Sequence, residues 1–201
     1  MFYTAGIGPS WLGRSSLPCT SLVCSNPSDE YNNLESIPED VGKLKELCIY
    51  DCENLKRLPE ESLGCLTSLK ILEFEPFSKE VDEFPGLGSI HHLHSSLKEL
   101  RLNARDKPCS LPLQLQHLSA LEELDIRYFS GLKALPEWLG NLSYLRILCY
   151  WGCTNMVHLS SKEALQRLSN LHLFRIFGCP RLQENRDEMC KIPRTPNFGP
   201  F

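Results

Sequence analysis

The sequence predicts an α/β solenoid, a horseshoe arc with a short-stranded parallel sheet on its concave face and irregular or short helical returns on its convex face. Three observations predict it: an apolar block that recurs, a further apolar position at a constant distance behind that block, and return segments that resemble one another. The 201 residues are 42% hydrophobic, which is enough for one domain with a substantial core.

The recurring block has the form LxxLxL or a close variant, as in LKELCI and LEELDI. The blocks begin at Leu44, Leu69, Leu97, Leu121, Leu145 and Leu171, with spacings of 25, 28, 24, 24 and 26 residues. Alternation at the end of each block indicates a strand with its apolar side chains on one side. One repeat cannot bury these side chains alone. When strands stack about 4.8 Å apart, each leucine is buried between neighbouring coils. Burial of one such side chain stabilises the fold by roughly 1.5–3 kcal/mol.

The segments behind the blocks also repeat. Nine residues after the last apolar position, four blocks carry a further leucine: Leu58, Leu111, Leu135 and Leu159. A proline, which favours a turn, directly follows three of these four leucines. The returns themselves read SLGCLTSL, LQLQHLSAL, LPEWLGNLSYL and ALQRLSNL.

These return phrases, together with WGCTNM, FGCPRLQEN and KIPRTPNF, carry a resemblance to a known family. The sequence resembles the C-terminal leucine-rich repeat region of plant nucleotide-binding leucine-rich repeat (NLR) disease-resistance proteins, over about residues 34 to 198. In that family the unit LxxLxLxxN/C forms a short strand and a return. The resemblance implies a protein-recognition module in plant innate immunity, like the sensor and autoinhibitory region of an intracellular resistance receptor.

Other functions are left open or disfavoured by the same residues. The 201 residues contain no GxxxxGK[ST] phosphate loop, so we expect any restraint of the family's nucleotide-binding switch to act in trans. Neither a GxSxG elbow nor a cysteine in a recognisable catalytic signature is present, so an enzyme is not predicted. The alternatives are a leucine-rich repeat adaptor, such as a ubiquitin-ligase substrate-recognition scaffold, and a non-functional receptor fragment.

Three regions are predicted along the chain. Residues 1–33 include a stretch rich in Ser, Pro and Asn and are expected to form an irregular or poorly ordered lead-in. Residues 34–185 form the repeat domain of about six repeats, with a degenerate insertion at 75–96. Residues 186–201 are expected to be a C-terminal tail.

Charge and hydropathy limit the partners. A formal net charge of −4 and a pI near 5.9 favour neither nucleic acid nor an anionic membrane. The sequence has no apolar run of about 18 residues, no secretion signal and no LxGxIP phrase of extracellular repeats, which together predict a cytoplasmic protein. The expected partner is a protein: a pathogen effector, a guarded host protein, or a nucleotide-binding receptor domain in trans.

The ten cysteines are expected to be mainly buried thiols, as in a reducing compartment. In the family the turn after the strand carries Asn or Cys, and the resemblance places Cys52, Cys153 and Cys179 there, with Phe129 and Arg105 as replacements in two blocks. Zinc at the CxxxC pairs was weighed against this structural role, which the register favours. The CxxxC pairs are Cys48/Cys52 and Cys149/Cys153. We predict no metal and no cofactor.

Two further clusters are interpreted as surface features. The HHLH stretch, with His91, His92 and His94, lies in the predicted insertion without ligands at metal spacing, so a solvated return loop is expected. Two acidic runs, Glu60–Glu61 and Glu122–Glu123–Asp125, fall on surfaces with no implied pocket, which disfavours acid–base catalysis.

The register also predicts which side chains line the concave face, because residues between and just after the inward leucines project from the sheet. The first predicted column is Cys48, Glu73, Arg101, Asp125, Cys149 and Arg175. The second is Tyr50, Glu75, Asn103, Arg127, Trp151 and Phe177. Aromatic and arginine side chains dominate interface energies. The predicted protein-binding residues are Tyr50, Arg101, Asp125, Arg127, Tyr128, Trp151, Arg175 and Phe177.

Overall fold

The computed structural model describes residues 21–25, 42–50, 62–75, 87–106 and 108–192. Its seven strands form one parallel sheet in chain order, each hydrogen-bonded to the next. The strands are β1 (Ser21–Ser25), β2 (Glu46–Tyr50), β3 (Ile71–Phe74), β4 (Glu99–Asn103), β5 (Glu123–Arg127), β6 (Ile147–Trp151) and β7 (Leu173–Phe177). The predicted α/β leucine-rich repeat solenoid is therefore confirmed.

The core is a set of aliphatic rows that run across the strands. Leu100, Leu124 and Leu148 are direct partners on β4, β5 and β6, and all three are fully buried. The leucine that begins each block is buried as well. Coils stacked in this way share one continuous interior, because every inward side chain packs on its counterparts in the neighbouring coils.

The returns are short helices. Four are 3-10 helices, at Ser62–Cys65, Leu87–Leu93, Leu113–His117 and Glu137–Asn141, and the fifth is α1 (Lys162–Gln166). Pro112 and Pro136 directly precede two of the 3-10 helices, where a fixed φ favours helix entry. Each return packs against the core on one side and faces solvent on the other, so a short helix with one apolar side is sufficient.

Part of the predicted insertion at 75–96 is an ordinary return. The 3-10 helix Leu87–Leu93 buries Leu87, Ile90 and Leu93 and packs between the preceding and following returns. Residues 87–93 of the predicted insertion therefore form a helical return like those of the neighbouring coils. The irregular spacing from the previous block concealed the return; the preceding residues 76–86 lie outside the described part of the chain.

The predicted lead-in at 1–33 contains a strand that sequence reasoning missed. β1 pairs in register with β2, with Leu22 opposite Leu47 and Cys24 opposite Ile49. The block reads CxxLxC, with Cys19 25 residues before Leu44, so cysteines stand where later repeats carry leucine or another large apolar residue. The prediction of an irregular segment is wrong for Ser21–Ser25.

The predicted C-terminal tail also begins with structure. Helices α2 (Pro180–Glu184) and α3 (Arg186–Met189) follow β7. Glu188 on α3 is buried and accepts a hydrogen bond from the Leu159 amide at 2.8 Å and another from Lys191 Nζ at 2.7 Å. Burial opposes ionisation of Glu188, but these hydrogen bonds and one from His158 outweigh it and lower its pKa. Residues 186–192 are therefore fixed to an earlier coil, and a tail is the wrong description for them.

The turns after the strands bury small or apolar side chains. Cys153 and Cys179 are fully buried, with thiols 3.7 Å and 3.5 Å from the Trp151 and Phe177 carbonyl oxygens. Phe129 is likewise buried in its coil. In the preceding coil the buried residue is Ala104 and Arg105 is exposed, so the placement of Arg105 in this row is wrong. The other predicted member, Cys52, lies outside the described residues.

Across the described ranges, no helix combines the length and the apolar character that a bilayer crossing needs.

Candidate protein-binding face

The two predicted columns are present on the concave face. Strand pairing aligns Arg101, Asp125, Cys149 and Arg175 in one row and Asn103, Arg127, Trp151 and Phe177 in the next. Their positions follow from the alternation of each strand, since the residue between them is a buried leucine, isoleucine or, on β6, Tyr150. Tyr50 ends β2, but its side chain lies outside what the structure describes.

Arg101 is held by carboxylates of its own and the neighbouring strand. Its Nη2 donates to Glu99 Oε2 at 2.9 Å, and its Nη1 lies 3.6 Å from Glu73 Oε2. The Arg101 side chain is 32% exposed, and its charge is balanced by these two carboxylates, of which Glu99 also accepts a hydrogen bond. A partner would have to compete with them.

A second ionic group connects the end of β3 with the turn after β4. Glu75 accepts from Asn103 Nδ2 at 2.7 Å and from Arg105 Nε at 2.7 Å. The Asn103 side-chain oxygen in turn accepts from the Arg105 amide at 3.0 Å. Arg105 has a positive φ of 50°, so this network fixes a turn that a non-glycine residue rarely adopts.

On β5, Asp125 and Arg127 pair with each other. Both Nε (3.1 Å) and Nη2 of Arg127 donate to Asp125 Oδ2. This hydrogen bonding to Asp125 raises the Arg127 pKa further. Asp125 is only 6% exposed, and its Oδ1 is buried with no hydrogen-bond partner among the described residues. Arg127 and Asp125, two predicted binding residues, therefore already form an ion pair with each other.

The other end of the face is aromatic. The rings of Trp151 and Phe177 lie 5.3 Å apart between centroids and are tilted by 51°, a favourable arrangement for an aromatic pair. Phe177 is 51% exposed and Tyr128 is 44% exposed. We call Tyr128, Trp151 and Phe177 the aromatic patch.

Tyr128 reaches this patch through a special turn. It has a left-handed backbone (φ 56°), and the equivalent positions in the next two coils are glycines, Gly152 (φ 64°) and Gly178 (φ 65°). A Cβ on Gly152 would lie 2.5 Å from Tyr128 Cδ1, so the tyrosine ring occupies space that the glycine leaves. The absence of a side chain in one coil therefore positions the aromatic side chain of the coil before it.

Arg175 stands apart from the other arginines of the face. It is exposed and flanked on its own strand by Leu173 and Phe177, with Cys149 opposite it on β6. Among the described residues it forms no salt bridge or hydrogen bond. Its charge therefore remains available to a partner.

The thiols on this face are unreactive. Burial, followed by the Glu46 and Glu73 carboxylates, raises the pKa of Cys48 to about 12. Burial also raises the pKa of Cys149 to about 11, with Asp125 contributing. A thiol nucleophile or ligand acts as the thiolate, so neither cysteine has the required form near neutral pH.

The remaining candidate sites stay separate. His91 and His92 are exposed on a return, with His91 Nδ1 3.1 Å from the Gly88 carbonyl oxygen. Within the described residues no group of three His, Cys, Asp or Glu side chains is arranged to hold a metal. Glu122 pairs with Lys98 Nζ at 2.8 Å, and hydrogen bonding to Lys98 lowers its pKa. Glu60 and Glu61 lie outside the described residues.

Sequence reasoning missed the network of Glu75, Asn103 and Arg105 as a unit. The column positions of Glu75 and Asn103 were available from the register, but Arg105 was assigned to the interior. The missing signal was Ala104, a small residue that takes the buried place and moves Arg105 outward.

Comparison with known proteins identifies relatives of the whole arc. The chain is 31% identical over 191 residues, 92% of its length, to Disease resistance protein RPS4 of Arabidopsis thaliana, and 32% identical over 156 residues to TMV resistance protein N of Nicotiana glutinosa, covering 66% of the chain. It spans 14% of the length of each of these relatives.

Among solved structures, the leucine-rich repeat domain of the type III effector XCV3220 (XopL) matches 82% of this chain and 57% of its own. The TM-score is 0.61 and the sequence identity 26%. No protein-family model matches the sequence.

Proposed function

This chain belongs to the leucine-rich repeat family found in plant disease resistance proteins, and on that premise we propose that it is a protein-recognition module of plant innate immunity. It works in the cytoplasm as the sensor and autoinhibitory region of an intracellular resistance receptor, and it catalyses no reaction itself. Its partner is a pathogen effector, a guarded host protein, or a nucleotide-binding receptor domain. Differential affinity for two states of such a switch would hold the switch in one of them.

One observation carries this proposal: the concave sheet exposes large aromatic side chains beside a charged side chain with no partner in the described chain. Phe177 and Tyr128 are about half exposed, and Arg175 lies next to Phe177. Buried aromatic and arginine anchors provide most of the free energy at protein interfaces. Elsewhere on the face, the thiols of Cys48 and Cys149 are buried and Arg101 and Arg127 are held in ion pairs. These groups stabilise the fold and are less accessible to a partner.

The test is capture of protein partners from pathogen-challenged leaf tissue, with the tagged chain compared against two variants. The double variant Tyr128→Ala/Phe177→Ala removes exposed rings from the concave face. The matched control, Leu113→Ala/Tyr144→Ala, removes large side chains outside the strands that are even more exposed (59% and 61%, against 44% and 51%). Specific partners should be lost with the first variant and retained with the second.

Identical capture by all three proteins would contradict recognition through the concave face. Quantitative mass spectrometry would identify the partner class, and enrichment of ubiquitin-ligase subunits would favour the adaptor alternative. A non-cooperative thermal transition of the purified wild-type chain would favour a non-functional fragment.

A further inference from the structure

We propose that the aromatic patch and Arg175 together bind an extended acidic segment of the partner. An Asp or Glu side chain of that segment contacts the Arg175 guanidinium, and apolar residues beside it pack on Trp151 and Phe177. This inference rests on the proposed function and specifies both the part of the face that is used and the chemistry that it selects.

The first argument is the state of the arginines. Arg101 is engaged by Glu99 and Glu73, and Arg127 by Asp125. Arg175 is exposed and forms no such contact within the described residues. A planar guanidinium with free donors matches a carboxylate in a bidentate, charge-assisted pair.

The second argument is the charge of the neighbouring surface. Among the described residues, the outward side chains of β3 to β5 and of the turns that follow them include five carboxylates and three guanidinium groups, so carboxylates outnumber guanidinium groups there. The carboxylates are Glu73, Glu75, Glu99, Glu123 and Asp125, and the guanidinium groups are Arg101, Arg105 and Arg127. Burial raises the pKa of Glu123, and the nearby carboxylates of Glu99 and Asp125 contribute to the same direction. An acidic segment is therefore repelled from the centre and directed to β7.

The apolar surroundings of Arg175 supply the third argument. Leu173 and Phe177 flank it on β7, and Ile147, Cys149 and Trp151 face them from β6. A carboxylate placed here would be partly shielded from water, which strengthens its attraction to the guanidinium. The segment must bring apolar side chains to cover these groups, so charge alone is an insufficient match.

Size indicates an extended segment as the occupant. Three strands about 4.8 Å apart and about five residues of 3.3 Å each give a surface of roughly 240 Å². This is under a third of the roughly 800 Å² per partner of a standard protein interface.

Phosphopeptide readers use clusters of arginines, whereas this patch offers one, which favours a carboxylate over a phosphate.

The test begins with an unbiased probe: a displayed library of random twelve-residue peptides selected on the folded 201-residue chain. We expect the enriched sequences to carry Asp or Glu next to Leu, Phe, Tyr or Trp. Fluorescent versions of these peptides then give dissociation constants by anisotropy. Replacement of the acidic residue by its amide, or by phosphoserine, tests the carboxylate directly, and both replacements should weaken binding.

Three variants localise the site. Arg175→Gln should weaken binding about tenfold or more, and Arg175→Lys should retain part of the affinity because it keeps the charge. The matched control is Arg105→Gln, which removes an arginine already paired with Glu75 on the same side of the sheet and should change the affinity less than about threefold. Binding of the acidic peptide should weaken with added salt.

Enrichment of neutral or basic peptides, or of none, would overturn this inference, as would equal losses for Arg175→Gln and Arg105→Gln. Stronger binding of the phosphoserine peptide would assign the patch to a phosphopeptide instead. Such results leave the proposed function standing if whole partners still depend on Tyr128 and Phe177 in the capture experiment. Failure of that capture experiment would remove both.

Discussion

The centre and the C-terminal end of the concave face use the same backbone for different purposes. On β4 and β5, Arg101 and Arg127 are neutralised by carboxylates two residues away on their own strands. On β6 and β7, Trp151 and Phe177 pair with each other but leave Phe177 half exposed, and Arg175 has no such carboxylate. The difference teaches that position in a repeat defines which residues face outward, while the neighbouring side chains define which of them remain available.

The largest expected effect breaks the scaffold that both regions share. Leu124 is fully buried on β5 between Leu100 and Leu148, so Leu124→Ala should lower the free energy of unfolding by roughly 2–5 kcal/mol. The same truncation at the 59% exposed Leu113 should cost less than about 0.5 kcal/mol. Urea denaturation followed by circular dichroism measures both, and equal costs would contradict the stacked core.

An intermediate effect isolates the aromatic end. Gly152→Ala places a side chain on a left-handed residue and against the Tyr128 ring, so we expect a loss of about 2 kcal/mol. Adding Tyr128→Ala should recover the part due to the steric clash and leave the backbone part. A double variant no more stable than Gly152→Ala alone would show that the ring does not occupy this space.

The smallest effect belongs to the charge-paired centre. Arg101→Gln removes a partly exposed ion pair and should cost less than about 1 kcal/mol, with the cost falling as salt is added. Denaturation at low and at high ionic strength measures this dependence. A loss as large as that of Gly152→Ala would mean that the centre stabilises the arc more than the aromatic end does.

The fold could be predicted from the sequence because six repeats recur in register, whereas a single repeat would have been weak evidence. Each LxxLxL block places its outward residues as surely as its inward ones, so both concave columns followed directly. Sequence reasoning missed β1 because CxxLxC keeps the spacing but changes the residue type. It missed α3 because the contact between Glu188 and the Leu159 amide joins residues 29 positions apart in a non-repeating segment.

By itself the sequence determined the periodic part of this protein: parallel strands, their register, their buried leucines and the rows of side chains on the concave face. The same spacing of apolar residues recurs in every coil, so each coil can be read from its own segment of sequence. Only the tertiary structure decided that Arg101 and Arg127 are neutralised, that Tyr128 fills the space above Gly152, and that Arg175 has no ion-pair partner within the described ranges. These properties depend on side-chain conformations within one strand and on distances between side chains of neighbouring coils, and the spacing of residues along the chain specifies neither.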